Sequence, residues 1–277
     1  MEKLEIINKL KQLDLKTYPY FEIKELIRDM GMMCFMVMTL HTGKLITRAR
    51  LGHNFTKASD LSYKPQVLNN TCQRASTPNS TMFYGCIVRG DFDLKDTRYI
   101  AACESSQIIR NRNDESETLE YITFGQWEVI KDINLIAVIH KDCFKEANNS
   151  LLKELNDAYE TFIKLHPTLD SDIDAATDFL AKEFSKKNVD NKDYNYLISS
   201  VFTEVVISDH DYDGVMYPSV QAEGNYGFNV AIKPKSVDEK MKLNKILESK
   251  IIKKGKSIDI INMREGIVLE DSTISYR

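Results

Sequence analysis

Three charged side chains interrupt segments of this chain that otherwise have the apolar composition of buried strands. Arg48 lies in the run 45–51, and Arg74 precedes a polar turn. Glu104 follows the apolar run 99–103. Burying a charge costs free energy unless a partner compensates it. Two arginines and one glutamate in such positions therefore predict a pocket for an anionic ligand, with a carboxylate beside it.

Tyr84 and Ser219 occupy comparable positions and complete a set that suits a dinucleotide such as NAD. An arginine fork makes bidentate contacts to pyrophosphate, and a tyrosine ring stacks on nicotinamide or adenine. A carboxylate stabilises the oxocarbenium-like charge that develops when the nicotinamide–ribose bond breaks, and a serine hydroxyl orients the ribose or the carboxylate. The alternative interpretation is that Arg48 and Glu104 form a structural ion pair.

The composition is typical of a soluble globular protein with one large domain or two small ones. The 277 residues are 43% hydrophobic and 28% charged, and the net charge of −4 argues against a general nucleic-acid coat. Five cysteines without a CxxC pair predict reduced thiols rather than a disulfide framework. The N-terminus lacks the apolar core of a signal peptide, and the apolar stretch 31–40 is too short for a membrane helix. We therefore expect a cytoplasmic protein with no membrane partner and no direct nucleic-acid binding.

The sequence lacks the common motifs for metal binding and for other kinds of catalysis. The segment 209–214 has the opening of a calcium loop, but Val220 stands where the loop needs a bidentate glutamate. The histidines have neither HxH nor HExxH spacing, and the sequence has no GxSxG elbow, P-loop or GxGxxG motif. We expect no metal cofactor.

Apolar periodicity predicts an α+β fold in which a helical insert separates two groups of strands. Helices are predicted at 2–12, 21–30, 146–165, 170–185, 193–207 and 237–250. Strands are predicted at 44–51, 81–89, 98–104, 119–124, 127–140, 214–220 and 227–233, with a hairpin turn near Gly125 and an extended tail at 257–270. We divide the chain into an N-terminal helical segment (1–43), a central catalytic domain (44–235), and a C-terminal helix and extended tail that pack on the core (236–277).

The polar residues also occur in the order found in the RES family, which is named for its Arg, Glu and Ser. Ile46-Thr-Arg48-Ala-Arg50 resembles the first family motif, with Arg50 as the alternative to Arg48. The segment from Arg74 to Tyr84 resembles the second and third motifs. Gln73 and Ser76 depart from this pattern, because the family has Gly and Asn there.

The two remaining motifs are similar as well, so that the resemblance spans about 45–235. Ile100-Ala-Ala-Cys-Glu104 resembles the fourth motif, and Tyr217-Pro-Ser219 followed by Asn229-Val-Ala-Ile resembles the last. The resemblance implies an ADP-ribosyltransferase-like fold, a mixed β-core with a split sheet and flanking helices. It also implies NAD as the substrate, which toxins of bacterial toxin–antitoxin pairs consume by phosphorolysis or hydrolysis. A helix-turn-helix antitoxin is the implied protein partner.

The resemblance also implies a role for each matched residue. Arg48 and Arg74 would hold the pyrophosphate and ribose, with Arg50 as the substitute. Tyr84 would pack against nicotinamide, and Tyr217 would contribute to the same binding site. Glu104 would stabilise the oxocarbenium ion, and Ser219 would position the ribose.

Two other functions stay open at the level of the sequence. A protein ADP-ribosyltransferase would need a second acidic residue facing the acceptor, for which Glu223 is the candidate. A catalytically silent module that binds a nucleotide or docks a partner is favoured by the departures at Gln73 and Ser76. For the enzyme itself, the acceptor of ADP-ribose is open among phosphate, water and a protein side chain.

Overall fold

The computed structural model describes residues 2–87, 94–110, 117–139, 150–166, 171–186, 192–219 and 227–277. Within these residues, helices pack on a mixed sheet of ten strands. The predicted α+β class, a mixed sheet with flanking helices, is thus confirmed. The α-helices are α1 Lys3–Gln12, α2 Tyr20–Asp29, α3 Leu94–Ser105, α4 Gln107–Arg110, α5 Ser150–Leu165, α6 Ser171–Ser185, α7 Leu197–Asp209 and α8 Pro234–Lys240.

The strands form one sheet in the order β1-β5-β6-β7-β3-β2-β4-β8-β9-β10. Strands β5 and β6 are parallel, and the other neighbours are antiparallel. The bounds are β1 Met36–Leu40, β2 Leu45–Leu51, β3 Phe83–Ile87, β4 Thr118–Val129, β5 Ile133–Ala137, β6 Gly214–Pro218, β7 Phe228–Ile232, β8 Met241–Lys254, β9 Ser257–Val268 and β10 Ile274–Tyr276.

Both faces of the β5–β6–β7–β3 region are buried, and alternate side chains enter different cores. Val215 and Tyr217 of β6 pack with α1, α2, α6 and α7 on one face. Met216, between them, packs with α5 and α8 on the other face. This alternation is the period of two expected of a strand. A third apolar cluster lies under α3 and joins Cys86 and Ile100 to Phe124 of β4.

The sheet opens between β2 and β3. These two strands share a single pair of residues, Thr47 opposite Cys86. Beyond that pair, β3 continues its ladder with β7 only, while β2 continues with β4 over seven residues. Helix α3 contacts both β2 and β3 and so covers the place where they part.

Most predicted elements are confirmed with small shifts at their ends. The two N-terminal helices, the three helices between 146 and 207, and the strands around β2, β3, β6 and β7 all form. The predicted extended tail forms β9. The predicted positions 88–89, 140, 146–149, 170 and 220 lie outside the described residues.

The predicted strand at 98–104 is wrong, because this segment belongs to α3. A short apolar run does not by itself distinguish a buried strand from a buried helix. The alanines at 101 and 102 favour a helix. The buried residues Thr97, Ile100 and Ala101 also follow helical spacing. Glu104 therefore lies in the last turn of a helix instead of at the end of a strand.

The predicted hairpin near Gly125 is also wrong, since Thr118–Val129 is one continuous strand. Gly125 pairs with Arg48 on one side and Ile246 on the other. The register of β4 against β8 shifts directly afterwards, between Gln126 and Trp127. An isolated glycine within a strand pattern often accompanies such a bulge, and here it does not mark a turn.

The predicted helix at 237–250 is wrong over most of its length. The helix α8 ends at Lys240, and Met241 begins the 14-residue strand β8. Strand β8 is paired along both edges, with β4 and with β9. Pairing on two sides overrides the weak helical preference of the lysine-rich sequence, as tertiary context commonly does.

Candidate functional site

A cavity of about 370 Å³ lies where β2 and β3 part. Of the predicted site residues, Arg48, Arg74, Tyr84, Glu104 and Tyr217 line it. They come from β2, a turn, β3, α3 and β6, which are distant in sequence. We call this space the central cavity.

Glu104 is held by two hydrogen bonds to one of its carboxylate oxygens. The Ser219 hydroxyl donates to Oε1 at 2.6 Å, and the Asn229 side-chain amide donates to the same atom at 2.8 Å. Ser219 is fully buried. Its backbone N–H donates to the carbonyl of Gly227 at 3.0 Å, which fixes its position. The predicted site residue Ser219 thus contacts Glu104, which lines the cavity, and is not itself part of the lining.

The structural alternative, an ion pair between Arg48 and Glu104, is not among the ion pairs of the described residues. Glu104 takes its partners from neutral donors instead. Its Oε2 accepts no hydrogen bond from the described part of the chain. The carboxylate therefore keeps one oriented oxygen for a ligand.

Arg48 reaches into the gap between β2 and β3. Its Nη1 donates to the Tyr84 carbonyl at 2.6 Å, and its guanidinium lies 5.1 Å from the centre of the Phe83 ring. Its Nε is buried without a hydrogen-bond partner in the described residues. Burial, and to a lesser degree the charge of Arg50, lowers the pKa of Arg48 to about 10, which still leaves Arg48 a cation at neutral pH.

Arg50, the alternative to Arg48, lies outside the central cavity. It is exposed, donates to the Asp60 carbonyl, and lies 5.4 Å from the Phe55 ring. Alternation of side chains along β2 does not explain why only Arg48 lines the cavity. Arg48 and Arg50 are two residues apart, and such residues project from the same face of a strand. The gap between the strands begins beyond Thr47, and Arg48 is the arginine next to that point.

Arg74 lines the central cavity but also closes the end of helix α6. Its Nη1 donates to the Phe184 carbonyl, and its Nη2 donates to the Lys186 carbonyl at 3.0 Å. Carbonyls at a helix C-terminus carry partial negative charge and favour such a cation. The rings of Tyr196 and Tyr217 flank the guanidinium at 5.0 and 5.7 Å. Arg74 is 7% exposed and has fewer N–H groups left for a ligand than the sequence suggested.

Gln73 and Ser76, the two residues that differ from the RES pattern, form a regular turn. Gln73 and Ser76 exchange two backbone hydrogen bonds, at 2.8 and 3.2 Å. The Ser76 hydroxyl lies 2.8 Å from the Tyr84 hydroxyl, which also accepts from the Ala75 N–H at 3.1 Å. Ser76 thus links the turn to β3.

The two tyrosines of the site remain neutral. Burial raises the pKa of Tyr84 to about 12 and that of Tyr217 well above its usual range. Tyr217 packs on Phe184 with ring centres 5.3 Å apart. Both residues therefore offer the cavity ring surface and a neutral hydroxyl.

Sequence reasoning assigned no role to Asn229, although it holds Glu104. The Cys86 thiol donates to the Asn229 side-chain oxygen at 3.3 Å, so that the amide nitrogen faces Glu104. Burial raises the pKa of Cys86 well above the usual value, which excludes a reactive thiolate there at neutral pH. An amide within the apolar strand Phe228–Ile232 is the signal that could have revealed this role.

Arg110 also lines the cavity and was not predicted. It lies at the end of α4 and donates to the Glu104 carbonyl at 3.3 Å. With Arg48 and Arg74, it gives the lining three guanidinium groups and one carboxylate. This balance favours an anionic ligand, and the carboxylate can stabilise a positive charge that develops on it.

Two further sequence expectations concern groups away from the cavity. Glu223, the candidate second acid of a transferase, lies outside the described residues. In the described part, no group of three or more His, Cys, Asp or Glu side chains could hold a metal ion. A search of the same residues finds no helix long and apolar enough to cross a membrane.

Comparisons with known proteins add no family assignment. Neither models of protein families nor characterised protein sequences match this chain.

Proposed function

We propose that this protein consumes NAD by cleaving the bond between nicotinamide and ribose. The observation that carries the proposal is the position of Glu104. Its carboxylate is oriented by Ser219 and Asn229, is not ion-paired with Arg48, and borders a cavity lined by three arginines. A structural carboxylate would gain more from one of those arginines than from two neutral donors.

The proposed chemistry follows from these groups. The arginines neutralise the pyrophosphate, and a tyrosine ring packs against nicotinamide. As the C–N bond breaks, its electron pair leaves with nicotinamide and positive charge develops on the ribose. The carboxylate of Glu104 stabilises that charge, or accepts a hydrogen bond from a ribose hydroxyl. Water then adds to the ribose carbon from which nicotinamide has left and loses a proton to the solvent, or phosphate adds there as an anion.

The resemblance to RES proteins extends the proposal to the biological setting. It supports a cytoplasmic bacterial toxin whose helix-turn-helix antitoxin blocks the cavity. The four described cysteines are free thiols, in agreement with a reducing compartment. A rate of nicotinamide release that depends on phosphate would identify phosphate, and not water, as the acceptor.

The decisive experiment follows nicotinamide release from NAD by the purified chain, with and without phosphate. We expect Glu104→Gln to lower the rate at least about a hundredfold, the usual effect of removing a preorganised electrostatic group. Ser219→Ala should lower it less, since Asn229 still holds the carboxylate. Glu128→Gln is the matched control, because Glu128 lies on β4, accepts from Asn244 and is not part of the cavity lining.

A silent nucleotide-binding module is the second candidate, and the contacts of Arg74 favour it. Two of its N–H groups are already used by the end of α6. Such a module would be stabilised by NAD in a thermal-unfolding experiment without releasing nicotinamide. Release that is unchanged in Glu104→Gln would contradict the proposed mechanism, and absence of both release and stabilisation would exclude both functions.

A further inference from the structure

A second cavity, of about 300 Å³, lies on the sheet face that α3 covers. Its polar lining includes Arg98, Gln126, Lys245, Asn262 and Arg277, and we call it the sheet cleft. Thr47 borders both the sheet cleft and the central cavity. Helix α3 provides Arg98 to the cleft and Glu104 to the cavity, so that the two spaces are neighbours along one helix.

The pairing of the strands explains why these side chains converge. Thr47, Gln126 and Lys245 are consecutive cross-strand partners on β2, β4 and β8. Directly opposed residues project from the same face of a sheet. Leu247, two residues beyond Lys245, is opposite Glu265, whose backbone exchanges two hydrogen bonds with Arg277. The cleft is thus lined by two neighbouring rows of cross-strand partners, Thr47–Gln126–Lys245 and Phe124–Leu247–Glu265.

The charged side chains of the cleft form no ion pairs within the described residues. Arg98, Lys245 and Arg277 take part in no ion pair among the described residues, and neither does the one lining acid, Glu265. Arg98 donates from Nη1 to the Asn262 side-chain oxygen at 3.1 Å, which orients the guanidinium and leaves its other N–H groups for a ligand. Within the described part of a chain of net charge −4, three cations without an ion pair therefore line one cavity.

The floor of the cleft is apolar. Leu247 is partly exposed and Ile267 is 43% exposed there, while Phe124 is almost fully buried. Small-molecule sites combine such a floor with a few polar groups that orient the ligand. Guanidinium and ammonium groups at the rim suit a phosphate, while the floor suits a flat ring.

We propose that the sheet cleft binds a nucleoside monophosphate, with its phosphate at Arg98 and Lys245 and its base over Leu247 and Ile267. This site is separate from the central cavity and does not depend on the function proposed for that cavity. Because α3 borders both spaces, a ligand in the cleft contacts the helix that carries Glu104.

Calorimetric titration of the full chain with AMP, adenosine and ribose 5-phosphate tests the proposal. AMP should bind most tightly, because it has both the phosphate and the ring. Arg98→Gln and Lys245→Gln should each raise the Kd for AMP about tenfold or more, the usual loss for a hydrogen bond to a charged group. Lys242→Gln, three residues earlier on β8 and outside the cleft lining, should leave it unchanged. Thermal unfolding checks that each variant is folded.

Each contrary outcome overturns a defined part of the proposal. A Kd for AMP that is unchanged in both Arg98→Gln and Lys245→Gln would place AMP outside the sheet cleft and remove the second site. Equal affinity for ribose 5-phosphate and AMP would overturn the role of the apolar floor. No binding of AMP at millimolar concentration would overturn the site as a whole.

Discussion

At the level of the residue, two nitrogen atoms of the Arg48 side chain have different surroundings. Its Nη1 satisfies the Tyr84 carbonyl at the point where β2 no longer pairs with β3. Its Nε, buried and unpartnered, leaves a donor whose desolvation is not compensated within the described residues. The hydrogen bond of Nη1 is structural. The unpartnered Nε carries a desolvation cost that a hydrogen bond to a ligand phosphate would remove.

We predict that Arg48→Gln raises the Kd for NAD at least about tenfold, because a charge-assisted contact to pyrophosphate is lost. Arg50→Gln is the matched control, two residues further along β2 and outside the central cavity. Calorimetric titration with NAD measures the effect when both substitutions are made in the Glu104→Gln background, in which NAD is consumed slowly. Equal weakening by the two substitutions would exclude a specific role for Arg48 in binding.

At the level of elements, the turn that carries Arg74 is tied to the helices beneath it through Glu204. The carboxylate of Glu204, on α7, accepts from Lys24 on α2 at 2.8 Å and from the Thr77 hydroxyl at 2.6 Å. The Tyr20 hydroxyl donates to the same group. One partly buried carboxylate therefore joins α2, α7 and the turn that leads into β3.

This network predicts a pH-dependent contribution to stability. Burial acts to raise the pKa of Glu204, but hydrogen bonds from Lys24, Thr77 and Tyr20 outweigh it and leave the pKa below its ordinary value of 4.5. A carboxyl group whose pKa is lowered by folding stabilises the protein above its unfolded pKa, and this contribution disappears as the pH falls through the folded pKa.

We expect Glu204→Gln to lower the free energy of unfolding at pH 7 by about 2 kcal/mol, as for a hydrogen-bonded charge. The difference from the wild type should shrink as the pH falls below 4.5. Urea denaturation at several pH values measures it. Glu22→Gln, an exposed position on α2, is the control and should change stability by less than about 0.5 kcal/mol. A difference that does not depend on pH would contradict the role of the ionised carboxylate.

At the level of the whole molecule, the centre of the sheet depends on close approach of β6 and β7. Gly214 begins β6 and pairs with β5 and β7. A methyl group at Gly214 would overlap the backbone carbonyl of Ala231, which cannot move without breaking the ladder. At Gly125 the nearest atoms to such a methyl group are side-chain atoms of Leu243 and Trp127, at 3.1 and 3.2 Å.

Gly214→Ala should therefore lower the free energy of unfolding by at least about 3 kcal/mol, the upper part of the range for overpacking. Gly125→Ala, the control, should cost about 1 kcal/mol, because side chains can shift. Thermal or urea denaturation compares the two variants. Equal losses of unfolding free energy in the two variants would contradict the close approach of β6 and β7 at Gly214.

Local sequence patterns were sufficient to locate several helices and most residues of the candidate site. Amphipathic spacing located α1, α2 and the helices between 150 and 209, because a helix must bury one stripe whatever it packs on. Polar residues in apolar segments indicated Arg48, Arg74 and Glu104 for the same kind of reason, since an isolated charge is costly to bury. The predicted set also included Tyr84 and Tyr217, and all five line one cavity.

Only the tertiary structure decided what these residues contact. The segment around Glu104 became a helix and Met241–Lys254 became a strand because pairing and burial outweighed short-range preference. The choice between Arg48 and Arg50 depended on where β2 and β3 part, and the attachment of Arg74 depended on where α6 ends. Asn229 gained its role because β7 brings its amide to Glu104, 125 residues away in sequence. Contacts over such separations depend on chain topology, which no local pattern in the sequence encodes.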